Sequence, residues 1–173
     1  MGDLALKKTS CFLLVAVLIG ILCSCGSSAD VKPQLKNIGF VADVSTGKEN
    51  SSFYCFVDKS GGIKASAVFP ESAADMLFVI NSKETKISYK GKDYSPSGGF
   101  FPAENTVQAL YDAISDASKK NLSVDKNENC VSEGKIGCGK YILTFSPAGL
   151  PLTLEIPPLE CSIVFKDVYV DKI

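Results

Sequence analysis

The sequence predicts a domain of the α+β class, built from about nine mostly antiparallel strands and one main helix. Short apolar segments, several of them alternating with polar residues, recur from Ile38 onward and are separated by Gly, Pro, Asn and Ser. One segment after Pro102 instead has apolar residues at helical spacing. Strands that follow one another closely along the chain pair with their neighbours. We therefore expect an antiparallel meander with the helix packed on one face.

The first half of the domain is predicted to consist of strands joined by tight turns. The segment Asp58-Lys59-Ser60-Gly61-Gly62 is a strong hairpin signal, and Asn81-Ser82-Lys83-Glu84 marks a second turn. In the strand that ends at Phe69, apolar residues alternate with Lys64 and Ser66, which predicts one buried face. The strands predicted in this half are 38–44, 52–57, 63–69, 76–80 and 85–90.

The helix is predicted from an apolar stripe at the i, i+3, i+4 and i+7 positions, formed by Val107, Leu110, Tyr111 and Ile114. Asn105 and Gln108 resemble a capping box at its beginning. Lys119 and Lys120 suit the negative end of the helix dipole, and Asn121 suits a left-handed closing position. We expect this helix to cover a face of the sheet.

The last third returns to strands. Leucine and isoleucine alternate with other residues between Leu150 and Ile156, and Pro157-Pro158 then interrupts the chain. Gly137-Cys138-Gly139 forms a hinge between two earlier strands. The strands predicted in this part are 128–136, 140–145, 150–156 and 161–170.

Two strands carry apolar residues on both faces. Phe53, Cys55 and Val57 alternate with Tyr54 and Phe56, and residues 76–80 are apolar throughout. A sheet with one face in solvent needs apolar residues on its other face only. Two interpretations remain open: the second face lines a concavity, or both faces are ordinary core beneath loops.

Composition excludes several function classes. The chain has 173 residues, of which 18 are basic and 19 acidic, and every basic residue is Lys, with no Arg, His or Trp. The charge is too balanced for a nucleic-acid-binding surface. Without His there is no imidazole base, triad or metal ligand, and without Arg there is no bidentate phosphate clamp.

The N-terminus has the pattern of a secretory signal peptide. Lys7 and Lys8 precede an apolar run, residues 12–22, which is too short to span a bilayer. Its exit, Leu22-Cys23-Ser24-Cys25, resembles the bacterial lipobox. That resemblance implies cleavage between Ser24 and Cys25 and attachment of diacylglycerol to the Cys25 thiol. Two or three acyl chains on one residue give stable membrane anchoring.

These features divide the chain into three parts. Residues 1–24 are the predicted lipoprotein signal peptide, residues 25–37 the lipidated N-terminus and short tether, and residues 38–173 the single domain. The tether begins with Gly26-Ser27-Ser28, which predicts flexibility. We expect the protein to lie at the outer face of the cell membrane, held there by its lipid.

Catalytic and metal motifs are weak. Ser-x-x-Lys occurs at Ser45, Ser123 and Ser132, about as often as chance predicts, and its companion motifs are missing. The segment that begins at Asp125 starts like a calcium loop but has Cys130 where Gly is required and Ile136 where Glu is required. We expect a solvated turn there. No catalytic site, metal site or cofactor is predicted.

Two remaining groups of residues have ordinary structural explanations. Asp112 and Asp116 lie one turn apart on the helix, opposite the apolar stripe, and are expected to form an exposed polar face. The other cysteines lack zinc or thioredoxin spacing, although an extracytoplasmic setting permits disulfides. Free thiols and disulfides both stay open for these residues, and the Gly-flanked one is expected to be the most exposed. They are Cys55, Cys130, Cys138 and Cys161.

The order of elements resembles the lipoprotein-carrier (LolA/LolB-like) superfamily. The resemblance rests on the alternating strands, the mid-chain helix, the Tyr89-Lys90-Gly91-Lys92-Asp93-Tyr94 hairpin and Gly149-Leu150-Pro151-Leu152 at the start of a late strand. It implies a curved, half-barrel-like sheet with a hydrophobic cavity for acyl chains. The Arg associated with cargo handling in the soluble carrier has no counterpart in this chain.

The sequence thus predicts a non-enzymatic, membrane-anchored lipoprotein. Its expected role is to bind a lipid or another apolar ligand in the cavity of a curved sheet. The alternative is a protein-interaction module of the cell envelope that uses a sheet edge or an exposed face.

Overall fold

The structure is a computed structural model that describes residues 31–47, 49–94, 102–125, 127 and 129–171. The predicted signal peptide, Ser24, Cys25 and the start of the tether lie outside the described residues. So do the loop segment 95–99 and two lysines of the Ser-x-x-Lys motifs, Lys48 and Lys126.

The described residues form eleven strands, one α-helix and two short 3-10 helices. The helix, α1, spans Pro102–Ala117, and the 3-10 helices span Glu71–Ala73 and Pro157–Leu159. The strands are β1 (Ile38–Thr46), β2 (Glu49–Val57), β3 (Ile63–Phe69), β4 (Met76–Ile80), β5 (Thr85–Tyr89), β6 (Lys92–Tyr94), β7 (Ser123–Val124), β8 (Cys130–Ile136), β9 (Gly139–Phe145), β10 (Pro151–Ile156) and β11 (Cys161–Val170).

All eleven strands belong to one antiparallel sheet whose order is β6-β5-β4-β3-β2-β1-β11-β10-β9-β8-β7. The described chain begins in the middle of the sheet and moves outward through β2 to β6. Helix α1 comes between β6 and β7, the two opposite edges, and β8 to β11 then lead back to the middle. There β11 pairs with β1, with Val170 opposite Ile38.

The sheet curls around the helix. Strands β4 and β8 are seven positions apart in the sheet order, which in a flat sheet would separate them by roughly 34 Å. Helix α1 nevertheless contacts β4 on one side and β8 and β9 on the other, although a helix is only about 10–12 Å wide. The inner face of the sheet therefore wraps the helix, and the outer face is exposed to solvent.

The core fills the space between the helix and the inner face. Its largest fully buried side chains include Phe40, Phe78, Tyr141 and Phe145 from the sheet and Leu110 from the helix. The described residues of the main buried cluster lie between Leu35 and Phe165. All of them follow the predicted signal peptide, so a chain without residues 1–24 keeps this core.

The predicted fold class was wrong. The described part of the chain is nearly all β, with eleven strands in an unclosed sheet and one helix, rather than an α+β domain of about nine strands. The two strands that the prediction did not count, β6 and β7, have only three and two residues. They are edge strands, and all three residues of β6 are exposed, so neither carries the alternation that identifies a buried strand.

The helix begins earlier than predicted. It starts at Pro102, a residue type that suits the first helical position because its missing N–H leaves no hydrogen bond unmade. Asn105 consequently lies within the first turn and is not the capping residue. Gln108 bonds to β5 through Thr85 Oγ1 at 3.2 Å instead of closing a capping box. Asn121 is not among the residues with positive φ, so the predicted closing position was also wrong.

The segment before β1 packs against the opposite half of the sheet. Gln34 N donates to Gly149 O at 2.8 Å, and Leu35 is buried in the core. This segment therefore lies at the end of the sheet where β1 begins and β11 ends. Within the described part of the chain, no helix has the length and apolar character needed to cross a membrane.

Candidate functional site

The Ser-x-x-Lys motifs form no catalytic pair in the described residues. Ser132 and Lys135 are three residues apart on one strand, so their side chains point to opposite faces of the sheet. Ser132 is buried with its Oγ 3.5 Å from the Tyr141 hydroxyl, whereas Lys135 is exposed. Ser123 Oγ donates to the backbone carbonyl of Val131 at 3.3 Å.

The segment at Asp125 is a self-contained turn. Asp125 Oδ1 accepts hydrogen bonds from the backbone N–H groups of Asn127 and Asn129, each at 2.8 Å. These bonds, first among them those from Asn129, lower the pKa of the Asp125 carboxyl. The Asp125 carboxylate thus accepts hydrogen bonds from its own turn. A turn was expected here because the calcium-loop motif is incomplete. In the part of the chain that the structure describes, no group of three acidic, Cys or His residues is arranged to hold a metal ion.

The prediction that Asp112 and Asp116 form an exposed polar face was wrong for Asp116. Tyr141 of β9 donates its phenolic hydrogen to Asp116 Oδ2 at 2.7 Å, and Lys120 Nζ also bonds to that oxygen. Burial alone would raise the pKa of Asp116, but the bonds from Lys120 and Tyr141 outweigh it and lower the pKa. Asp112 accepts a hydrogen bond from Gln108 at 2.9 Å. The Asp112 bond lies within the helix, whereas Asp116 attaches the helix to the sheet through Tyr141.

The described cysteines are free thiols. Cys55, Cys130 and Cys161 are buried, and Cys138 in the β8–β9 turn is half-buried, in agreement with the expectation that it is the most exposed. Burial raises the pKa of Cys55 to about 12, and burial together with nearby Glu155 raises that of Cys161 to about 11. Such thiols are poor nucleophiles.

Among the described residues, an apolar concavity lies beside the edge of the sheet. It has a volume of about 380 Å³ and lies where the inner face reaches the β6 edge. The lining residues come from β4, β5, β6 and the 3-10 helix before β4, and we call this site the β4–β6 pocket. They are Ser72, Met76, Ile87, Tyr89 and Tyr94.

Strand register explains why these side chains converge. Met76 is directly opposite Tyr89, and Ile87 is directly opposite Tyr94. Directly opposed residues of antiparallel strands project to the same face, and here that face is the inner one because Ile87 is buried. Tyr94 lies on the short edge strand and is 48% exposed, so the pocket opens to solvent at this edge.

Two larger depressions are bordered by more polar and charged residues. One, of about 510 Å³, is bordered by Asp58, Lys59, Ser60 and Asp171 among others. The other, of about 420 Å³, lies on the outer face over Asp43 and several serines. The β4–β6 pocket is smaller than either, but its walls are the most apolar of the three, which is the usual character of a ligand site.

The pocket residues were not predicted as a site. The pairing of residues 76–80 with 85–90 and the Tyr89–Tyr94 hairpin were both predicted, and both are present. The register was not predicted: it brings Tyr94 opposite Ile87 and onto the same face as Met76. The second face of β2 is the outer face of the sheet. Tyr54 is 44% exposed there and is not core, whereas Phe56 on the same face lines the depression of about 510 Å³.

No protein-family model matches this chain, and no curated protein matches it either.

Proposed function

We propose that this protein is a lipid-anchored, extracytoplasmic binding protein whose β4–β6 pocket holds an apolar ligand. The observation that carries the proposal is the pocket itself, where the apolar walls of Met76, Ile87, Tyr89 and Tyr94 meet beside an open sheet edge. Burying an apolar ligand against these walls is favourable by about 25 cal/mol per Å² of surface removed from water. The lipobox-like exit at Cys25 supplies the argument for the anchor.

The filled core limits where a ligand can bind. Phe40, Phe53, Phe78 and Leu110 occupy the space between the sheet and the helix, and each is buried. A ligand is therefore excluded from the core, and the β4–β6 pocket, at about 380 Å³, is at the lower end of the roughly 300–1,000 Å³ typical of ligand pockets. This size favours a small ligand or a single acyl chain.

Native mass spectrometry on a chain that begins at residue 26, purified from a bacterial host without detergent, tests the binding. We expect a population with additional mass in the lipid range. Tyr94→Asp should abolish it, because a carboxylate at the pocket wall is costly beside an apolar ligand. Tyr54→Asp is the matched control, since Tyr54 is about equally exposed but lies on the outer face. Bare protein that also fails to bind added lipid, or equal loss in both variants, would overturn the proposal.

The anchor is tested separately with Cys25→Ala in the full chain. Loss of the Cys25 thiol should prevent acylation and processing, so the protein should leave the membrane fraction or accumulate as the unprocessed precursor. Continued tight membrane association of a processed Cys25→Ala chain would contradict lipidation at this residue.

A second candidate function is protein interaction through the outer face. Tyr54 and Tyr169 are both 44% exposed and hydrogen-bond to each other through their hydroxyls. Phe69 and Val164 are exposed on the same face. An envelope complex that cross-links to the wild type, is lost in Tyr169→Lys and is retained in Tyr94→Asp would favour this function over ligand binding.

A further inference from the structure

We infer that the ligand of the β4–β6 pocket is a single-chain amphiphile with an anionic head group, such as a carboxylate, held at the β5–β6 rim. This inference rests on the proposed ligand-binding function and specifies its ligand class. It follows from the charges that surround the apolar walls and from the position of the pocket in the sheet.

Two lysines stand at the β5–β6 rim of the pocket. Lys92 is directly opposite Tyr89, so its side chain starts from the same face of the sheet as the pocket lining. Lys90 Nζ lies 5.2 Å from the centre of the Tyr89 ring, within the range of a cation–π contact. Both lysines are exposed. They can therefore meet the head group of a ligand whose apolar part contacts Tyr89.

The acidic residue of this hairpin is turned away from the pocket. Asp93 follows Lys92 directly, so the alternation of a strand places it on the opposite face. There Ser88 Oγ donates to Asp93 Oδ1 at 2.6 Å. The pocket face of β6 thus presents a lysine and a tyrosine, and its carboxylate is bound on the outer face.

Two carboxylates lie near the same end of the sheet. Glu71 and Asp75 are exposed residues on either side of Ser72, in the segment that leads into β4. Asp75 precedes Met76, which pairs with Tyr89, so it lies near the end of β5 where Lys90 follows. Lys92 is on β6, one strand further from β4, and is therefore the lysine best placed to meet an anionic head group.

The position of the pocket favours a ligand that arrives from water. Met76 and Tyr89 lie at the end of the sheet where β1 ends, whereas the N-terminal segment lies at the other end, beside Ile38. In an anchored protein the pocket then lies toward the end remote from the tether. Single-chain amphiphiles dissolve as monomers, unlike bilayer lipids, and a volume of about 380 Å³ suits one chain.

Calorimetric titration of the chain that begins at residue 26 tests the inference with decanoate, decanol and decylamine, three ligands that share one alkyl chain. We expect decanoate to bind most tightly and decylamine least tightly. The Lys90→Gln/Lys92→Gln double variant should bind decanoate roughly three- to tenfold more weakly, the sum of two exposed charge contacts, and should bind decanol unchanged. Lys64→Gln/Lys83→Gln is the matched control, because it removes the same charge from the outer face and from the β4–β5 turn.

The outcomes separate the inference from the proposed function. If all three ligands bind equally tightly and the double variant does not change their binding, the proposed pocket stands but the anionic head group is overturned. Tightest binding of decylamine would overturn it as well. If no ligand binds, the proposed function fails together with the inference. Binding to anionic lipid vesicles without binding of monomeric decanoate would show a membrane surface contact and would also overturn it.

Discussion

Tyr141 donates a hydrogen bond to Asp116 Oδ2 at 2.7 Å, and this bond joins the end of the helix to the middle of strand β9. Tyr141 is fully buried, and Lys120 lies over its ring with Nζ 5.6 Å from the ring centre. Lys120 Nζ also donates to the backbone carbonyl of Glu133 at 3.0 Å. The helix is thereby held against β8 and β9 by polar contacts as well as by its apolar stripe.

The first prediction concerns the hydrogen bond itself. Tyr141→Phe keeps the buried ring and removes the donor to Asp116, so we expect the free energy of unfolding to fall by about 1–2 kcal/mol. For a domain of this size that corresponds to a decrease in Tm of roughly 2–8 °C. Urea unfolding followed by circular dichroism measures it. Tyr169→Phe, which removes an exposed hydroxyl, should change stability by less than about 0.5 kcal/mol, and an equal loss in both would contradict the role given to Tyr141.

The second prediction concerns acid stability. The pKa of Asp116 is lowered below its usual value of 3.8, so the folded protein binds fewer protons here than the unfolded chain. The stabilisation from this carboxylate is therefore complete above about pH 4 and is lost as the pH falls through the lowered pKa. Asp116→Asn should be less stable than the wild type at pH 7, by about 1 kcal/mol.

The pH series provides the check on that prediction. The difference in unfolding free energy between the wild type and Asp116→Asn should shrink as the pH falls below 3.8. Asp43 and Asp125 also have lowered pKa values, so both proteins should lose stability in acid and only the difference is diagnostic. A difference that stays constant from pH 7 to pH 2.5 would contradict the assignment.

The third prediction concerns Gly134, which lies directly opposite Tyr141 in the β8–β9 pair. A Cβ there would lie 2.4 Å from Asp116 Oδ2 and 2.6 Å from Tyr141 Cε1, and the buried ring has little room to move. Gly134→Ala should therefore destabilise the protein by about 1–3 kcal/mol. Gly137→Ala is the control because a Cβ at that position meets nothing within 4 Å. Equal thermal midpoints for the two variants would refute the steric argument.

The alternation of apolar and polar residues predicted most of the strands well. Ile63–Phe69, Met76–Ile80 and Cys161–Val170 have the bounds expected from the sequence. These strands are largely interior ones, in which packing on one face imposes the period of two. Edge strands β6 and β7 are too short to show this alternation. The Tyr89–Tyr94 hairpin indicated the pairing of β6 with β5, whereas no local pattern indicated the pairing of β7 with β8.

The same limitation explains why the sequence did not predict the candidate site or the role of Asp116. Tyr94 becomes a pocket residue only because it lies opposite Ile87, a contact between strands that the periodicity of one segment does not contain. Asp116 lies outside the apolar stripe and so was expected to face solvent. Because the sheet curls around the helix, a residue beside the stripe still meets β9, and a helical wheel drawn against a flat sheet misses that contact.

The last prediction concerns the thiols in a chain that begins at residue 26, whose cysteines are Cys55, Cys130, Cys138 and Cys161. Burial raises the pKa of both the Cys138 and the Cys55 thiol, but Cys138 is only half-buried, whereas Cys55 has its pKa raised to about 12 and has no exposed surface. Maleimide labelling of the folded protein should therefore modify Cys138 at least roughly tenfold faster than Cys55. Time-resolved mass spectrometry with peptide mapping measures the two rates. Cys138→Ser should remove the fast phase, and all four thiols should react in denaturant without a reductant. Fast labelling of Cys55 in the native state would show that the β2 side of the core opens readily, which its complete burial argues against.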